Sequence, residues 1–416
     1  MSLACGLLFW VNTNERRITF VSMHTSPVAE PGTPDAGGMN VVELNWALSL
    51  AQLGYGVDLV TRRDGPSADC VEIADDVRLF NLPVGPKHPV AKSEQEQFID
   101  EFSLALKDWL AGPGSNTGLI HSQHWFSGVA ALPVAKEAGI AHVQSFHSVA
   151  APADTMDPAA GEKAESPGRI EGERMTANES DLIVTVSEAE KRTIIERYGV
   201  SPDSIAVVHP GVDLELFRPL SCRERHWNWS GCYVVFAARL EPLKGADLAI
   251  KALAEMTDKP RLVIAGQAAS EFADYEDQLQ DLAIEKGVAD EVIFLGTQKR
   301  EELARMIRGA CVLLNPSYSE TFGLINLEAA ASGVPVIASR AGGLEESVAD
   351  GLSGILLDNR NPKNWAQAIK KFTGSARTRA QYAKSAREFA ERNSWADSAE
   401  RLAVTYNQIK ARRDND

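Results

Sequence analysis

Short apolar runs alternate with longer amphipathic segments along the chain, starting near Ile18. The apolar runs have the length of buried β-strands, and the segments between them have the spacing of helices that end at glycine. In the first half of the chain the strand-like runs are ITFVSM, VDLVTR, LIHSQ, HVQSF, LIVTVS and IAVVHPG. Strands that alternate with helices in this way predict an α/β fold, in which helices cover both faces of a parallel sheet.

The alternation begins again after the segment HPGVDLELFRP, which is punctuated by proline and glycine. The later strand-like runs are CYVVFAARL, RLVIAG, VIFLG, CVLLNP, PVIAS and GILL. We therefore predict two doubly wound, Rossmann-like domains over residues 18–208 and 209–394, with a hinge at residues 209–219. The closing segment 395–416 predicts a helix that could pack on either domain, including back on the first.

Two domains of this kind predict where a ligand binds. The carboxyl ends of the strands in an open parallel sheet face a crevice, and two facing domains make that crevice one closable site. We therefore expect a ligand cleft between the domains and a hinge that closes when the ligand binds.

Composition narrows the function classes. A chain of 416 residues that is 44% hydrophobic can close two cores. Its net charge of −15 disfavours nucleic-acid binding, which needs clustered lysine and arginine. The five cysteines are odd in number and form no CxxC pair, so we expect neither a zinc ribbon nor a disulfide framework. A reducing cytoplasm fits this cysteine usage best.

The opening stretch from Met1 to Val11 contains an apolar run, Leu7 to Val11. It lacks the basic start and the cleavage pattern of a signal peptide. It is also far shorter than the ~20 apolar residues that a membrane span needs. We therefore expect no targeting address, no transmembrane segment and no part of the fold in this stretch.

The first candidate for chemistry is the segment FAARLEPLKG, which lies between a predicted strand and the next helix. It contains Arg239 and Lys244. Two cations beside the unpaired amides of a helix start form a site for a diphosphate, because arginine binds oxygens in a fork and lysine acts as a point charge. Taken alone, the two cations would equally fit a solvated surface.

The second candidate is the segment SETFGLINLE, which follows the strand-like run CVLLNP and enters an alanine-rich helix. The helix start can hold phosphate oxygens through its amides, and glycine there permits close approach of the backbone. Glu328 lies roughly 9 Å further along the helix, at ~1.5 Å per residue, which suits hydrogen bonds from a ribose diol. Glu320, just before the helix, could accept from the hydroxyls of a sugar. The residues of this helix start are Thr321, Phe322, Gly323 and Leu324.

A carboxylate pair also fits a glycosidase, in which one acid protonates a leaving group and the other attacks or activates water. A glycosidase has no need of a diphosphate cradle, whereas a transferase needs one for its departing group. The helix dipole explains an acid at Glu320 but not one at Glu328, which lies two turns into the helix. The cations and the acids together therefore favour a transferase.

The spacing of these residues resembles that of the retaining glycosyltransferases of family 4, which share a motif xxRLxxxKG followed by Glu-x7-Glu. The match covers nearly the whole chain and implies the two-domain GT-B fold. By this resemblance Arg239 and Lys244 bind the donor pyrophosphate, Glu320 contacts the sugar and Glu328 the ribose. No DxD motif stands in a suitable loop, so no metal or other cofactor is expected beyond the nucleotide-sugar donor.

The segments SMHTSP and PGTPDAGGMNV resemble the mycothiol-pathway branch of the family, and less closely the sucrose-phosphate synthases. Enzymes of that branch move N-acetylglucosamine from its UDP sugar to inositol phosphate. The resemblance implies that Gly38 lies at a second anion-accepting helix start and that Asn40 addresses acceptor hydroxyls. As bare sequence, DAGGMN is only a turn before a helix.

The resemblance also assigns His147, at the end of the strand HVQSF, to a contact with the donor sugar near the reacting carbon. Acceptor anion binding in the branch uses a lysine, a tyrosine, a threonine and an arginine. Three of those places fall on Lys92, Ser148 and Arg169, and the tyrosine place falls on His124, which can still hydrogen-bond a phosphate.

The sequence thus predicts a retaining transferase that moves a sugar, N-acetylglucosamine from UDP-GlcNAc first, to a small polar, phosphorylated acceptor. Within enzymes, a GDP-mannose-dependent mannosyltransferase, a sucrose-phosphate synthase-like enzyme and an epimerase stay open, because the base-reading loop Gly296 to Lys299 does not separate uracil from guanine. Outside enzymes, a non-catalytic sugar-nucleotide binder stays open. A homodimer is compatible with these features.

Overall fold

The structure is a computed structural model, and it describes residues 17–30, 36–150, 166–221, 231–268 and 272–413. The expectations for the opening stretch therefore lie outside the described residues. Within them, the strands form two separate sheets.

The N-terminal sheet has eight strands in the described part of the chain, and all neighbours pair in parallel except one edge pair. Its strands are β1 (Arg17–Ser22), β2 (Val57–Arg62), β3 (Cys70–Ala74), β4 (Val77–Leu82), β5 (Thr117–Gln123), β6 (Ala141–Ser145), β7 (Leu182–Thr185) and β8 (Ile205–Val207). They lie in the order β3-β4-β2-β1-β5-β6-β7-β8. The helices are α1 (Gly38–Gln52), α2 (Ile99–Ala111), α3 (His124–Ala138), α4 (Pro167–Glu179) and α5 (Glu188–Tyr198).

The predicted parallel sheet carries an antiparallel strand that was not predicted, because β3 runs antiparallel to β4 at this edge. A short turn joins the two strands, and β3 is exposed or half-buried along its whole length. An edge strand of that kind carries no buried apolar run, so the hydrophobic pattern does not reveal it.

The C-terminal sheet has six parallel strands among the described residues. They are β9 (Tyr233–Ala237), β10 (Arg261–Ala265), β11 (Val292–Phe294), β12 (Val312–Asn315), β13 (Val336–Ser339) and β14 (Gly354–Leu357). They lie in the order β11-β10-β9-β12-β13-β14. The helices are α6 (Ala246–Ala254), α7 (Tyr275–Glu285), α8 (Arg300–Arg308), α9 (Leu324–Ala331), α10 (Leu344–Ser347), α11 (Pro362–Thr373) and α12 (Ala376–Ala390).

The last helix, α13 (Trp395–Arg413), returns to the N-terminal sheet. The indole nitrogen of Trp46 on α1 donates to Ser398 Oγ at 2.8 Å, and the hydroxyl of Tyr406 lies 2.6 Å from His121 Nδ1 on β5. Trp46, His121 and Tyr406 are almost fully buried. The helix therefore covers part of the first domain's core.

One expectation about the cysteines is wrong, because Cys232 and Cys311 form a disulfide. They precede β9 and β12, which are neighbours in the sheet although the two cysteines are 79 residues apart in sequence. Counting cysteines cannot detect such a pair, because the sheet order that brings them together is not visible in their spacing. Cys70 is free and exposed.

Candidate active site

The predicted cation loop connects β9 to α6. A 3-10 turn, Pro242–Lys244, is followed by Gly245 with a φ of 74°, a left-handed conformation that favours glycine. A Cβ on Gly245 would lie 2.3 Å from the carbonyl oxygen of Pro316, so the loop packs directly on the residues after β12. The ammonium of Lys244 lies 2.7 Å from Glu320 Oε2. The two predicted motifs are far apart in sequence, and the fold brings Lys244 of the first into contact with Glu320 of the second.

The second loop leads from β12 into α9. Gly323 has a φ of 92°, and a Cβ there would come within 2.7 Å of Leu344. The carbonyl of Glu320 accepts the amide of Gly343 at 2.8 Å, while the ring of Phe322 is buried. The backbone before α9 is therefore held firmly, with the helix amides of Leu324 and its neighbours at the loop's end.

Arg239 and Glu328 have ion-pair partners of their own. The guanidinium of Arg239 is partly exposed and lies 3.6 Å from Glu241 Oε1. Glu328 is buried, and its Oε1 lies 2.6 Å from the guanidinium of Arg300 on α8. A carboxylate offers about four acceptor positions, so this pair leaves Glu328 able to accept from a diol. Arg300 was not predicted, because a cation at a helix start has no distinguishing pattern in sequence.

The N-terminal domain presents the start of α1 to the same cleft. A Cβ on Gly38 would lie 3.6 Å from Leu324 Cδ1, so the starts of α1 and α9 face each other. The side-chain amide of Asn40 donates to Thr25 Oγ1 at 3.0 Å and to the carbonyl of Ser26 at 2.8 Å. Both amide protons of Asn40 are thus engaged in holding the β1 loop, and its predicted contact with the acceptor stays a prediction.

His147 lies where the two domains meet. Its carbonyl accepts a hydrogen bond from Thr321 Oγ1 at 3.1 Å, and its Nε2 lies 2.6 Å from Gln123 Oε1. Burial lowers the pKa of His147 to about 3, so the ring is neutral near pH 7. If Nε2–H donates to Gln123, Nδ1 keeps its lone pair and can accept from a sugar hydroxyl. This contact of Gln123 was not predicted, because no pattern along the chain marks a glutamine at the end of a strand as a partner of His147.

The predicted acceptor residues also come together. The guanidinium of Arg169 donates to the carbonyl and to the hydroxyl of Ser148, both at 3.2 Å, and its Nε lies 2.7 Å from Glu173 on the same helix. Lys92 and Arg169 both lie close enough to His124 to disfavour its protonation. This part of the site is therefore a basic pocket at the carboxyl ends of the first sheet.

A second imidazole, His24, extends this pocket and was not predicted. The rings of His24 and His124 lie 4.3 Å apart between centroids, and His124 has a φ of 69°. Burial first, and then the charge of Lys92, lowers the pKa of both imidazoles well below the usual value. Both ring nitrogens of His124 and Nδ1 of His24 have no hydrogen-bond partner among the described residues. Buried nitrogens of this kind suit an anionic, hydrogen-bonding ligand.

The described residues contain no helix long and apolar enough to cross a membrane. They also contain no group of three or more histidine, cysteine, aspartate or glutamate side chains that could hold a metal ion.

Comparisons with known proteins identify the family of this chain. Residues 36–216 match the family described as Glycosyltransferase Family 4, and residues 227–389 match Glycosyl transferases group 1. The D-inositol 3-phosphate glycosyltransferase of Stackebrandtia nassauensis is 37% identical over 96% of this chain and 93% of its own length. The protein of the same name from Mycolicibacterium smegmatis is 35% identical over 94% of this chain and 91% of its own.

Solved structures resemble the fold. Sucrose-phosphate synthase from Thermosynechococcus elongatus superposes with a TM-score of 0.84 at 26% identity, over 95% of this chain and 99% of its own. Anabaena HepE in complex with UDP and glucose superposes with a TM-score of 0.71 at 19% identity, over 94% of this chain and 100% of its own. The prediction of two Rossmann-like domains in a GT-B arrangement is confirmed. With a relative 37% identical over 96% of its length and both domains matched, the chain belongs to glycosyltransferase family 4 and is a glycosyltransferase.

Proposed function

We propose that this enzyme transfers N-acetylglucosamine from UDP-GlcNAc to a hydroxyl of inositol phosphate, with retention of configuration at the sugar. The observation that carries the proposal is the contact between Thr321 and His147. It brings the loop before α9, whose Glu320 is paired with Lys244 of the cation loop, next to the basic pocket of the other domain. A diphosphate on one side and a phosphorylated acceptor on the other would then meet at His147.

The acceptor is supported by chemistry and by similarity. The pocket gathers two permanent cations, Lys92 and Arg169, with the buried imidazoles of His24 and His124. A phosphate group is the small anion that such a set binds best. Relatives named D-inositol 3-phosphate glycosyltransferase align over nearly the whole chain.

In the proposed reaction the glycosidic bond to the diphosphate breaks as the acceptor hydroxyl attacks from the same face of the sugar. Arg239, Lys244 and the first amides of α9 stabilise the negative charge that grows on the departing diphosphate. The acceptor's proton passes to that leaving phosphate, so no side-chain base is needed. Glu320 and the neutral ring of His147 orient the sugar through its hydroxyls.

The test is a panel of donors and acceptors with the purified enzyme. We expect turnover with UDP-GlcNAc and inositol phosphate, little with unphosphorylated inositol, and an axial anomeric linkage in the product by proton NMR. The likeness to sucrose-phosphate synthase makes UDP-glucose with fructose 6-phosphate the competing pair. Turnover only with that pair or with GDP-mannose, or an inverted linkage, would reject the proposal.

We place the reaction in the cytoplasm, as the cysteine usage suggested. The Cys232–Cys311 disulfide is an argument against this location, because disulfides are rare in a reducing compartment. Localisation of a tagged chain by cell fractionation tests this part of the proposal.

His124→Asn is expected to raise the acceptor KM about tenfold or more, the scale of one lost hydrogen bond to a charged group. Asparagine tolerates the left-handed backbone at this position, so the helix start of α3 is kept while the imidazole is removed. The KM for the donor should stay within about twofold. His88→Asn, at an exposed position, is the matched control. An acceptor KM equal in both variants would show that His124 does not contact the acceptor.

A further inference from the structure

The first turn of α5 joins the two domains. Glu346 on α10, in the donor domain, accepts the amides of Glu188 and Ala189 at 2.8 and 3.0 Å. The same carboxylate lies 2.9 Å from Nε2 of His209 in the interdomain segment. The first amides of a helix have no partner inside the helix, and a negative charge there is favourable. A side chain from one domain therefore caps a helix of the other.

The carboxylate of Glu346 is suited to this position. Burial alone would raise the pKa of Glu346, but the hydrogen bonds from His209 and from the two α5 amides lower it overall. The side chain is therefore anionic at neutral pH. It is also shielded, with 18% of its surface exposed, so salt screens the contact little.

The same helical turn also reaches His147. Glu190 is buried, and its carboxylate accepts the amide of Val186 at 2.8 Å and a backbone hydrogen bond from His147. His147 has a φ of 57°, a left-handed conformation that residues with side chains adopt rarely. Such a conformation persists only where the surroundings impose it. Thr321 belongs to the loop between β12 and α9, called the donor loop below. Glu190 from α5 and Thr321 from the donor loop both bind the His147 backbone.

A second connection runs through the interdomain segment. The ring of His209 stacks on Phe322 of the donor loop, with centroids 5.8 Å apart and planes inclined by 29°. The carbonyl of His209 accepts from Ser398 Oγ on α13 at 2.6 Å. Glu346 therefore contacts both a helix of the first domain and the segment that links the domains.

We propose that Glu346 is a positioning residue, which caps α5 across the domain boundary and thereby holds the closed arrangement that aligns His147 with the donor sugar. The inference rests on the proposed function, because the sugar is placed beside His147 by that proposal. Glu346 touches none of the reacting groups. Its effect passes through the α5 turn to His147, and through the closed boundary to the Thr321 contact.

The experiment compares Glu346→Ala and Glu346→Gln with the parent and with Glu345→Gln, its neighbour, which is 48% exposed and lies 3.6 Å from Arg340. We expect Glu346→Ala to lower kcat about tenfold or more, because His147 and the donor loop would be aligned less precisely in the transition state. The donor KM and the UDP affinity by calorimetry should stay within about threefold, because Arg239, Lys244 and Glu328 are untouched. Glu346→Gln keeps one acceptor oxygen and should recover part of kcat.

Amide hydrogen exchange supplies a readout that does not depend on turnover. The amides of Glu188 and Ala189 should exchange faster in Glu346→Ala and as in the parent in Glu345→Gln. Unchanged exchange, a kcat within twofold of the parent, or an equal loss in Glu345→Gln would overturn the positioning role. If the parent transfers no sugar from any donor, the proposed function fails, and the exchange rates still decide whether Glu346 caps α5.

Discussion

Replacing Lys244 by alanine is expected to lower kcat/KM at least about a hundredfold, the usual effect of removing one preorganised group that stabilises a departing anion. The ammonium lies 2.7 Å from Glu320 on the loop before α9, so it is already held where the diphosphate is proposed to sit. Steady-state rates with UDP-GlcNAc measure the effect. The two side chains are only 15% and 20% exposed, so the unpaired Glu320 should lower the melting temperature by a few degrees while the enzyme stays folded.

The control for this variant is Lys251→Ala. Lys251 also forms an ion pair, with Asp247 one turn away on α6, but it lies on the helix and not on the cation loop. Lys251→Ala should leave kcat/KM within about twofold of the parent, an expectation for a surface pair. A Lys244→Ala enzyme that retains a third of the parent's turnover would show that the cation cradle is assigned to the wrong residues.

The Lys244–Glu320 pair also suggests how the two motifs cooperate. In the structure the ammonium of Lys244 is paired with the carboxylate of Glu320. A diphosphate carries more charge and would compete for that ammonium, which frees Glu320 to accept from the sugar hydroxyls. Binding of the leaving group and of the sugar would then be coupled through one side chain, and the site would lose little to reorganisation.

The sequence predicted the parts of this molecule that depend on local pattern. Buried parallel strands alternate with helices over most of the chain, so the two sheets and the loops at their carboxyl ends could be found by periodicity. Arg239, Lys244 and Glu320 lie on loops that follow such strands, and Glu328 lies within the next helix. Their roles nonetheless came from the resemblance to a family, and the roles stay predictions.

The features that sequence reasoning missed depend on tertiary contacts. Cys232 and Cys311 meet only because β9 and β12 are neighbours in the sheet. His24 lies over His124 because β1 and β5 are adjacent. Glu346 reaches α5 only when the domains are together. None of these contacts could be predicted from the spacing of the residues along the chain.

The largest effect expected on stability is acid destabilisation, because five imidazoles are held neutral by burial. Burial is the first cause that lowers their pKa values below the usual 6.5. In the unfolded chain these groups bind protons below about pH 6.5, whereas in the folded state they stay neutral, so acid favours unfolding. Their stabilising effect is therefore complete above about pH 6.5 and is lost below it. The five residues are His24, His121, His124, His142 and His147.

Two buried carboxyl groups act in the opposite direction. Burial raises the pKa of Glu43 to about 8 and, together with nearby carboxylates, that of Glu190 to about 7. Their folded-state pKa values lie above the unfolded ones, so the stability they confer is present at low pH and is lost as pH rises through 7 and 8. Between pH 5 and 6 the imidazoles prevail by about three protons, or roughly 4 kcal/mol per pH unit.

The free energy of unfolding should therefore be greatest at about pH 6.5 to 7 and fall on both sides, more steeply in acid. Urea midpoints measured from pH 5 to pH 8.5 test this shape. Glu43→Gln removes one titrating group without changing its size, so it should flatten the decline above pH 7, whereas Glu72→Gln, at an exposed position, should not. A midpoint that falls steadily from pH 5.5 to pH 7 would mean that the buried imidazoles titrate as they do in water, because only the two carboxyl groups would then shape the curve.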